Sequence, residues 1–377
     1  MKFIFKASDR LYPWVVVFAA TAFAFLINNA TNFNVISIYL TTQLKLNTSE
    51  VGFLFACYFY TNILFVFFTG LILDKVPTKK ILIISFIVAN ISILIFTLTN
   101  TIILMTLSRL LLGIVGSFSM LTTFKLIKTW FPVNKITLVT GIATTFANLG
   151  TFFSQIPLLI IVNKLGWRMG LLTNFWLSSL LLILALTLNY EPPQNKTNSI
   201  VDQNNTITKV ITNGQNRIIG FYGSLVNLPI LFFSASWGIL YLQNIKNFSE
   251  MTSSSIISSF IVGTILGSFI IGWLADRFNI YKLLMYLCMQ FAVICLIIIA
   301  AENNPPKLTN TATGFVATLT AISGLYIQLL SYIMNYYNTL ENLANGYNIS
   351  IWILIITVAI NIFLILIVKK DGDKRRI

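Results

Sequence analysis

The sequence contains no histidine, and only 10% of its 377 residues are charged, against about 25% in an average soluble domain. Acidic residues are the scarcer kind, with 11 Asp and Glu against 25 Lys and Arg, which gives a net charge of +14. The three cysteines lie inside apolar runs, which is typical of small buried side chains and not of a disulfide framework. Without histidine or clustered cysteines and acids, we expect no metal and no other cofactor.

Motifs of soluble enzymes are missing as well. The sequence has no G-x-x-x-x-G-K phosphate loop, no G-x-S-x-G and no H-E-x-x-H. Because no acid–base or nucleophile constellation appears, an enzyme is not expected. The basic residues lie between long apolar runs, so they indicate membrane topology and not a nucleic-acid partner.

Long apolar runs dominate what is present, since 56% of the residues are hydrophobic. A helix that spans a bilayer needs about 20 apolar residues. Charged residues separate eleven runs of suitable length, of which only the fourth contains a charge, Arg109. The runs are 11–44, 51–73, 81–98, 101–124, 136–163, 169–190, 218–245, 251–275, 283–301, 308–340 and 342–368. They predict an all-α polytopic membrane protein whose main partner is the lipid bilayer.

One hydrophilic stretch, 191–217, divides the runs into six and five and is rich in Asn, Thr and Gln. We therefore expect a six-helix bundle over 1–190, a cytoplasmic linker over 191–217, and a bundle of about five helices over 218–377. With the N-terminus in the cytoplasm, fourteen basic residues fall on the cytoplasmic side and five on the other. This asymmetry fits a multi-pass protein of the inner (plasma) membrane. The basic tail, Lys369 to Arg376, conflicts with it, because eleven crossings would place the tail outside.

A repeat links the two halves. Each copy has the pattern G-x-x-x-D-[K/R]-x-x-x-x-K and follows the second helix of its half. The first copy comprises Gly70, Asp74, Lys75 and Lys80, and the second comprises Gly272, Asp276, Arg277 and Lys282. Glycine allows helices to approach closely, and aspartate at a helix end pairs with basic loops, so these residues form a candidate gating motif. Two copies at matching places indicate parallel halves, as in transporters.

With this repeat the chain resembles the major facilitator superfamily. Further resemblances are Arg109 to Gly116 in the fourth helix, Lys128-Thr129-Trp130-Phe131-Pro132 after it, and Ser236-Trp237-Gly238-Ile239 in the seventh. They are most similar to a branch with phagosomal amino-acid and nucleoside importers of intracellular bacteria and lysosomal dipeptide transporters. The resemblance implies a monomeric secondary transporter that moves an amino acid, short peptide or nucleoside by alternating access. The second half is one helix short, a shortfall that the run lengths place after residue 300.

Polar residues at helical spacing inside the runs are the candidates for binding a solute. They are Asn28, Asn32, Tyr58, Asn62, Asn148, Gln155, Asn227, Trp237, Tyr241 and Gln328. Thr144 and Thr151 share the helical spacing of Asn148 and Gln155, and Ser234 shares that of Asn227 and Tyr241. Polar stripes on membrane helices face the protein interior, where they line a cavity or form hydrogen bonds between helices. Arg109 is a further candidate, and it has two interpretations. It is either a fixed positive charge for an anionic group of the solute or an arginine tied to carbonyls of a neighbouring helix.

No acidic residue lies in the middle of a run, so a membrane-embedded proton relay has no residues to use. We expect facilitated diffusion, or coupling that does not depend on a buried carboxylate. Two alternatives stay open. One is a drug or metabolite exporter, although the Pro-Gly-Gly element of such exporters is missing after Gly150. The other is a non-transporting sensor or a degraded copy.

Overall fold

The computed structural model describes residues 11–132, 135–188, 190, 211–278, 309–339 and 342–367. Every regular element within these ranges is a helix, as predicted. Nine segments of the described chain are long and apolar enough to cross a bilayer. Each corresponds to a predicted run. Of the two remaining runs, 251–275 falls within a 29-residue helix, and 283–301 lies outside the described residues.

The described part of the first half has eight helices, which form six spans. They are α1 (Tyr12–Thr31), α2 (Asn34–Thr42), α3 (Thr48–Lys75), α4 (Thr78–Leu98), α5 (Ile102–Trp130), α6 (Ile136–Phe153), α7 (Ile156–Leu165) and α8 (Trp167–Thr187). The first span consists of α1 and α2, and the fifth of α6 and α7. Asn47 and Glu50 form a capping box at the start of α3, which satisfies two backbone N–H groups there.

The second half begins at Gly214, inside the segment predicted as linker. Its described elements are α9 (Gly214–Ile230), a π-helical turn (Leu231–Ser236), α10 (Gly238–Asn244), α11 (Glu250–Phe278), α12 (Thr309–Ala321), α13 (Ser323–Thr339) and α14 (Leu343–Ile367). The seventh span comprises α9, the π turn and α10. Another span comprises α12 and α13.

Several spans are interrupted where the apolar runs predicted continuous helices. Asn32 leaves the helical region with φ −76° and ψ 126°, which ends α1. Pro157 lies in the first turn of α7, because proline lacks the N–H that would continue α6. Pro229 precedes the π turn of the seventh span, and proline disturbs the hydrogen-bond ladder of the preceding turn. Backbone groups that such breaks release need other partners.

Glycines allow close packing within the first half. A Cβ at Gly113 of α5 would collide with the carbonyl of Tyr58 in α3, and a Cβ at Gly150 of α6 would collide with Phe25 in α1. One apolar cluster lies within this half, around Phe23, Phe86 and Leu112. A second cluster joins residues of both halves, including Phe33, Leu54, Trp237, Met334 and Tyr347.

The contacts also show how the helices run. Along α3, Gly52 adjoins Ser331, Phe59 packs on Gly324, and Phe67 lies against Phe315, so α3 runs antiparallel to α12 and α13. We call the end of the bundle at Lys75, where Lys125 of α5 donates to the Leu73 carbonyl, the basic end. The other end, with α2 and α10, we call the opposite end.

The last helix, α14, returns to the basic end. Gly346 near its start adjoins Met334 at the opposite end, and Asn361 near its finish adjoins Tyr222 of α9. Because α9 begins at the basic end, the end of α14 at Ile367 also lies there. This removes the conflict between the basic tail and the charge asymmetry.

The site of the shortfall must also be corrected. In α11, Ile257 adjoins Gly238 at the opposite end and Ile265 meets Thr145 at mid-depth, so Phe278 lies at the basic end. Thr309 lies there too, since Phe315 packs on Phe67.

A single crossing cannot join Phe278 and Thr309, because both residues lie at the same end. The span of α12 and α13 packs on α3 as α6 packs on α11, so the last two spans are counterparts of the fifth and sixth. The shortfall therefore falls between Phe278 and Thr309.

Candidate functional site

A cavity of about 410 Å³ lies between the two halves. This volume is within the range of about 300–1,000 Å³ that small-molecule pockets occupy. Residues of α1, α3, α5 and α6 line it from the first half, and residues of α9, the π turn, α11 and α12 line it from the second. The described residues that give it polar character are Asn28, Thr31, Asn32, Tyr58, Asn62, Ser117, Ser119, Thr144, Asn148, Thr151, Asn227, Ser234, Thr264 and Thr320.

Six of the predicted binding residues line this cavity: Asn28, Asn32, Tyr58, Asn62, Asn148 and Asn227. Arg109, Gln155, Trp237, Tyr241 and Gln328 are absent from the described lining. The polar spacing in the sequence had missed Ser117, Ser119, Thr31, Thr264 and Thr320. For Ser117 and Ser119 the sequence offered one signal, the adjacent Gly116, because glycine marks where a neighbouring helix approaches closely. In the structure Tyr58 of α3 packs on Gly116.

Hydrogen bonds fix three of the cavity amides. The Nδ2 of Asn28 donates to the Ala147 carbonyl at 2.9 Å, and that of Asn227 donates to the Ser323 hydroxyl at 3.1 Å. The Nδ2 of Asn62 lies 3.4 Å from both the Gly113 carbonyl and the Tyr58 hydroxyl. The bonds of Asn28 to Ala147, of Asn227 to Ser323 and of Asn62 to Gly113 join neighbouring helices, whereas Tyr58 lies on the same helix as Asn62. Each bond uses a donor of the amide, so the amide oxygen stays available as an acceptor.

The two halves are joined across the opposite end of the cavity. The backbone N–H of Phe33 donates to the Ala235 carbonyl at 2.9 Å, and Asn34 Nδ2 donates to the Phe233 carbonyl at 3.2 Å. Gln155 Nε2 donates to the Ser234 carbonyl at 3.0 Å and to Asn32 Oδ1 at 3.2 Å. We call these contacts the closure. They form because the breaks after α1 and α6 meet carbonyls of the π turn, where the i→i+4 ladder is interrupted.

The other candidates lie around the closure. Trp237, the residue directly after the π turn, donates from Nε1 to the Ser331 hydroxyl at 2.9 Å. The ring of Tyr241 lies 5.4 Å from that of Tyr347 in α14. Gln328 of α13 accepts a hydrogen bond from the Tyr60 hydroxyl of α3. These three residues connect helices and do not contact the cavity.

Arg109 is buried, with 3% of its surface exposed. Its Nη1 donates to the Ala30 carbonyl at 2.8 Å, in the last turn of α1. Its guanidinium carbon lies 3.9 Å from the ring centre of Phe33 and 4.5 Å from that of Phe96. A cation at a helix C-terminus, held between aromatic faces, is stabilised by the helix dipole and the ring quadrupoles.

The candidate gating motif is only partly described. Gly70 is buried within α3, and Lys75 ends that helix. Lys80 lies exposed in the first turn of α4. The side chains of Asp74, Asp276 and Arg277, the surroundings of Gly272, and the whole of Lys282 lie outside the described residues.

Glu250 is an acid at the end of the bundle that carries the closure. It begins α11 at the opposite end, and partial burial raises the pKa of its carboxyl. It does not line the cavity.

Comparisons with known proteins agree with this architecture. Residues 17–360 match the family model of the Major Facilitator Superfamily. The chain is 26% identical over 137 residues to a probable sulfoacetate transporter, SauU, of Cupriavidus necator, which covers 36% of this chain and 32% of that protein. It is 24% identical over 239 residues to a TsgA homolog of Buchnera aphidicola, which covers 63% and 60%. The chain thus spans about a third and about three fifths of the curated relatives it matches.

Solved structures share the fold. A bacterial homolog of the human lysosomal transporter Spinster, inward-facing and occupied, has a TM-score of 0.71 at 12% identity and covers 96% of this chain and 97% of that one. A mutant of the nucleoside transporter NupG has a TM-score of 0.65 at 14% identity and covers 94% and 100%. At such low identity the likeness shows the architecture and no substrate.

Proposed function

The chain belongs to the major facilitator superfamily, and we propose that it is a secondary transporter that moves a small polar solute through the central cavity by alternating access. The observation that carries this proposal is the polar cavity between the halves together with the closure at one end. In alternating access, one end of a central site is sealed while the other opens, and the seal then changes ends. The solute classes we propose are amino acids, short peptides and nucleosides.

We place the basic end in the cytoplasm of a cell whose inner (plasma) membrane holds the protein. The fourteen basic residues assigned to that side, and the five of the tail after Ile367, then lie together. In this orientation the structure is sealed towards the outside. We propose that 1–190 and 218–377 are the two rocking halves and that the protein works as a monomer.

Facilitated diffusion is the coupling mode that we propose. The described lining holds no carboxylate, and the undescribed run 283–301 holds neither acid nor histidine in the sequence. A proton relay needs a group that titrates inside the membrane. Arg109, tied to the Ala30 carbonyl, acts in this proposal as a structural residue of the first span.

Counterflow into liposomes tests the proposal. Purified protein is reconstituted with unlabelled solute inside, and tracer entry is measured for a panel of amino acids, dipeptides and nucleosides. We expect tracer to accumulate transiently for one class without an ion gradient, and Asn148→Ala with Asn227→Ala to abolish it. Asn345→Ala, an exposed asparagine in the first turn of α14, is the matched control. A folded protein that moves no solute of the panel would favour the sensor or degraded copy, and net movement only outward would favour an exporter.

A further inference from the structure

The central cavity offers no charge to a solute. None of its described lining residues is ionisable at neutral pH, and the run 283–301, whose structure is outside the description, carries no charged residue in the sequence. Arg109, the cation in the middle of the fourth span, donates to the Ala30 carbonyl and lies between two phenylalanine rings. A carboxylate or sulfonate in the cavity would lose its hydration without gaining a counter-charge, which is costly.

The asparagine side chains of the cavity offer more free hydrogen-bond acceptors than free donors. Asn28, Asn62 and Asn227 each use Nδ2 on a protein acceptor, and no hydrogen bond to their Oδ1 atoms is present within the described chain. An amide oxygen has two lone pairs, so these side chains present acceptors. Asn148 makes no side-chain hydrogen bond to a described residue and offers both donors and an acceptor. The cavity is therefore best matched by a solute that brings donors.

Apolar side chains form the rest of the wall. Ile27 and Phe59 line it from the first half, and Phe260 and Ile261 from the second. An aromatic ring together with aliphatic side chains suits a flat apolar face, which stacks on aromatic rings and is dehydrated at little cost. Acceptors beside such a wall suit a molecule with hydroxyl groups at one part and a ring at another.

We infer that the cavity selects an uncharged, hydroxyl-bearing solute with a flat ring, which is the chemistry of a nucleoside, and rejects zwitterionic amino acids, dipeptides and organic anions. This inference rests on the proposed transport function and narrows its solute class. Because neither the solute nor the cavity carries a charge, transport moves no net charge across the membrane.

Competition in the counterflow assay tests the selectivity. Labelled uridine and adenosine are the tracers, and unlabelled alanine, glycylglycine and sulfoacetate are the charged competitors. We expect the two nucleosides to compete with each other. The charged solutes should compete more weakly by a factor of about ten or more, since a loss of 1.4 kcal/mol in binding lowers affinity tenfold. Uptake is expected to be unchanged by an imposed potassium diffusion potential.

The outcomes separate this inference from the transport function itself. Counterflow of labelled alanine or sulfoacetate that nucleosides do not inhibit would overturn the inference and leave the transport function standing. Failure of every tracer in folded protein would overturn both.

A charge placed in the cavity gives a second test. Asn148→Asp introduces a carboxyl of nearly the same size, and we expect nucleoside uptake at pH 7 to fall about tenfold or more. Lowering the pH protonates the new carboxyl and removes its charge, so uptake should recover as the pH falls, while the unmodified protein shows no such change. Asn345→Asp, an exposed position in α14, is the control for added charge. An uptake rate that is equal in both variants at pH 7, or a loss in Asn148→Asp that no pH reverses, would contradict an uncharged solute site.

Discussion

The buried Arg109 side chain is held by the protein's own groups, so its removal should act on stability. Arg109→Gln loses the bond to the Ala30 carbonyl and the stacking on Phe33 and Phe96. We expect the free energy of unfolding to fall by about 1.5–3 kcal/mol, the usual contribution of a hydrogen bond to a charged group. Arg109→Lys keeps the charge but not the planar stack and should lose less. The measurement is thermal unfolding in detergent.

Arg168 provides a matched comparison. It donates to the Thr97 carbonyl at 3.1 Å and stacks on Trp167, but it lies at the surface of the opposite end. We expect Arg168→Gln to cost less than Arg109→Gln, because Arg168 is only half-buried and water replaces part of its lost contacts. The transport KM of the folded Arg109→Gln protein should stay unchanged. A raised KM at unchanged stability would instead make Arg109 a solute contact.

Single polar residues were the most predictable part of the site. Asn28, Asn62, Asn148 and Asn227 lie within apolar runs, and polar residues in such runs turn away from lipid towards the cavity. The hydroxyls of Ser117 and Ser119 were harder to assign, because serine also bonds to the carbonyls of its own helix, as both do here. For Arg109, spacing alone could not distinguish a solute contact from a bond to the end of α1.

At the scale of elements, the closure is where broken helices of the two halves meet. Gln155 is fully buried and its Nε2 donates to both Asn32 Oδ1 and the Ser234 carbonyl. Gln155→Ala removes both bonds, including the one between the halves to the Ser234 carbonyl, at a cost of about 1–3 kcal/mol to the closed arrangement. We expect the population open at the opposite end to rise by about tenfold.

Thiol labelling measures this shift. Thr151→Cys lines the cavity below the closure, and in a background without native cysteines it is labelled by a membrane-impermeant maleimide added from the opposite side. Labelling should be about tenfold faster with Gln155→Ala. Gln43→Ala is the control, because Gln43 accepts from Trp167 Nε1 at 2.9 Å within the first half only. Equal labelling rates in Gln155→Ala and Gln43→Ala would show that the closure does not hold the halves together.

The helix breaks explain why some candidate residues lie outside the cavity. The spacing of Thr144, Asn148, Thr151 and Gln155 assumed one continuous helix, whereas α6 ends at Phe153 and Gln155 has non-helical φ −102° and ψ −113°. In the seventh span, the spacing of Asn227, Ser234 and Tyr241 assumed 3.6 residues per turn. The π turn Leu231–Ser236 winds more loosely and shifts the face that follows it, so Tyr241 packs on Tyr347. Apolar runs predict a span but not where its hydrogen-bond ladder is interrupted.

For the whole molecule, the direction of the last helices decides where the tail lies. Counting apolar runs left this open, because an odd number of crossings and the positive-inside rule disagreed. Contacts between residues far apart in sequence, such as Phe67 with Phe315 and Met334 with Gly346, carry the missing information. They place Ile367 at the same end as Lys75, and they place Phe278 and Thr309 at that end as well.

This arrangement predicts that the C-terminus and the N-terminus lie on the same side of the membrane. In a bacterial host, green fluorescent protein fused after Ile377 should fluoresce and alkaline phosphatase fused there should be inactive, because the first needs the cytoplasm and the second the periplasm. Fusions that end after Lys246, in the loop between α10 and α11 at the opposite end, should give the reverse result. If the tail fusions behaved like those after Lys246, α14 would run the other way, and a single crossing between Phe278 and Thr309 would be required. The fourteen basic residues assigned to the cytoplasmic side and the five of the tail then share one side, so the same-side topology is also the one that the positive-inside rule favours.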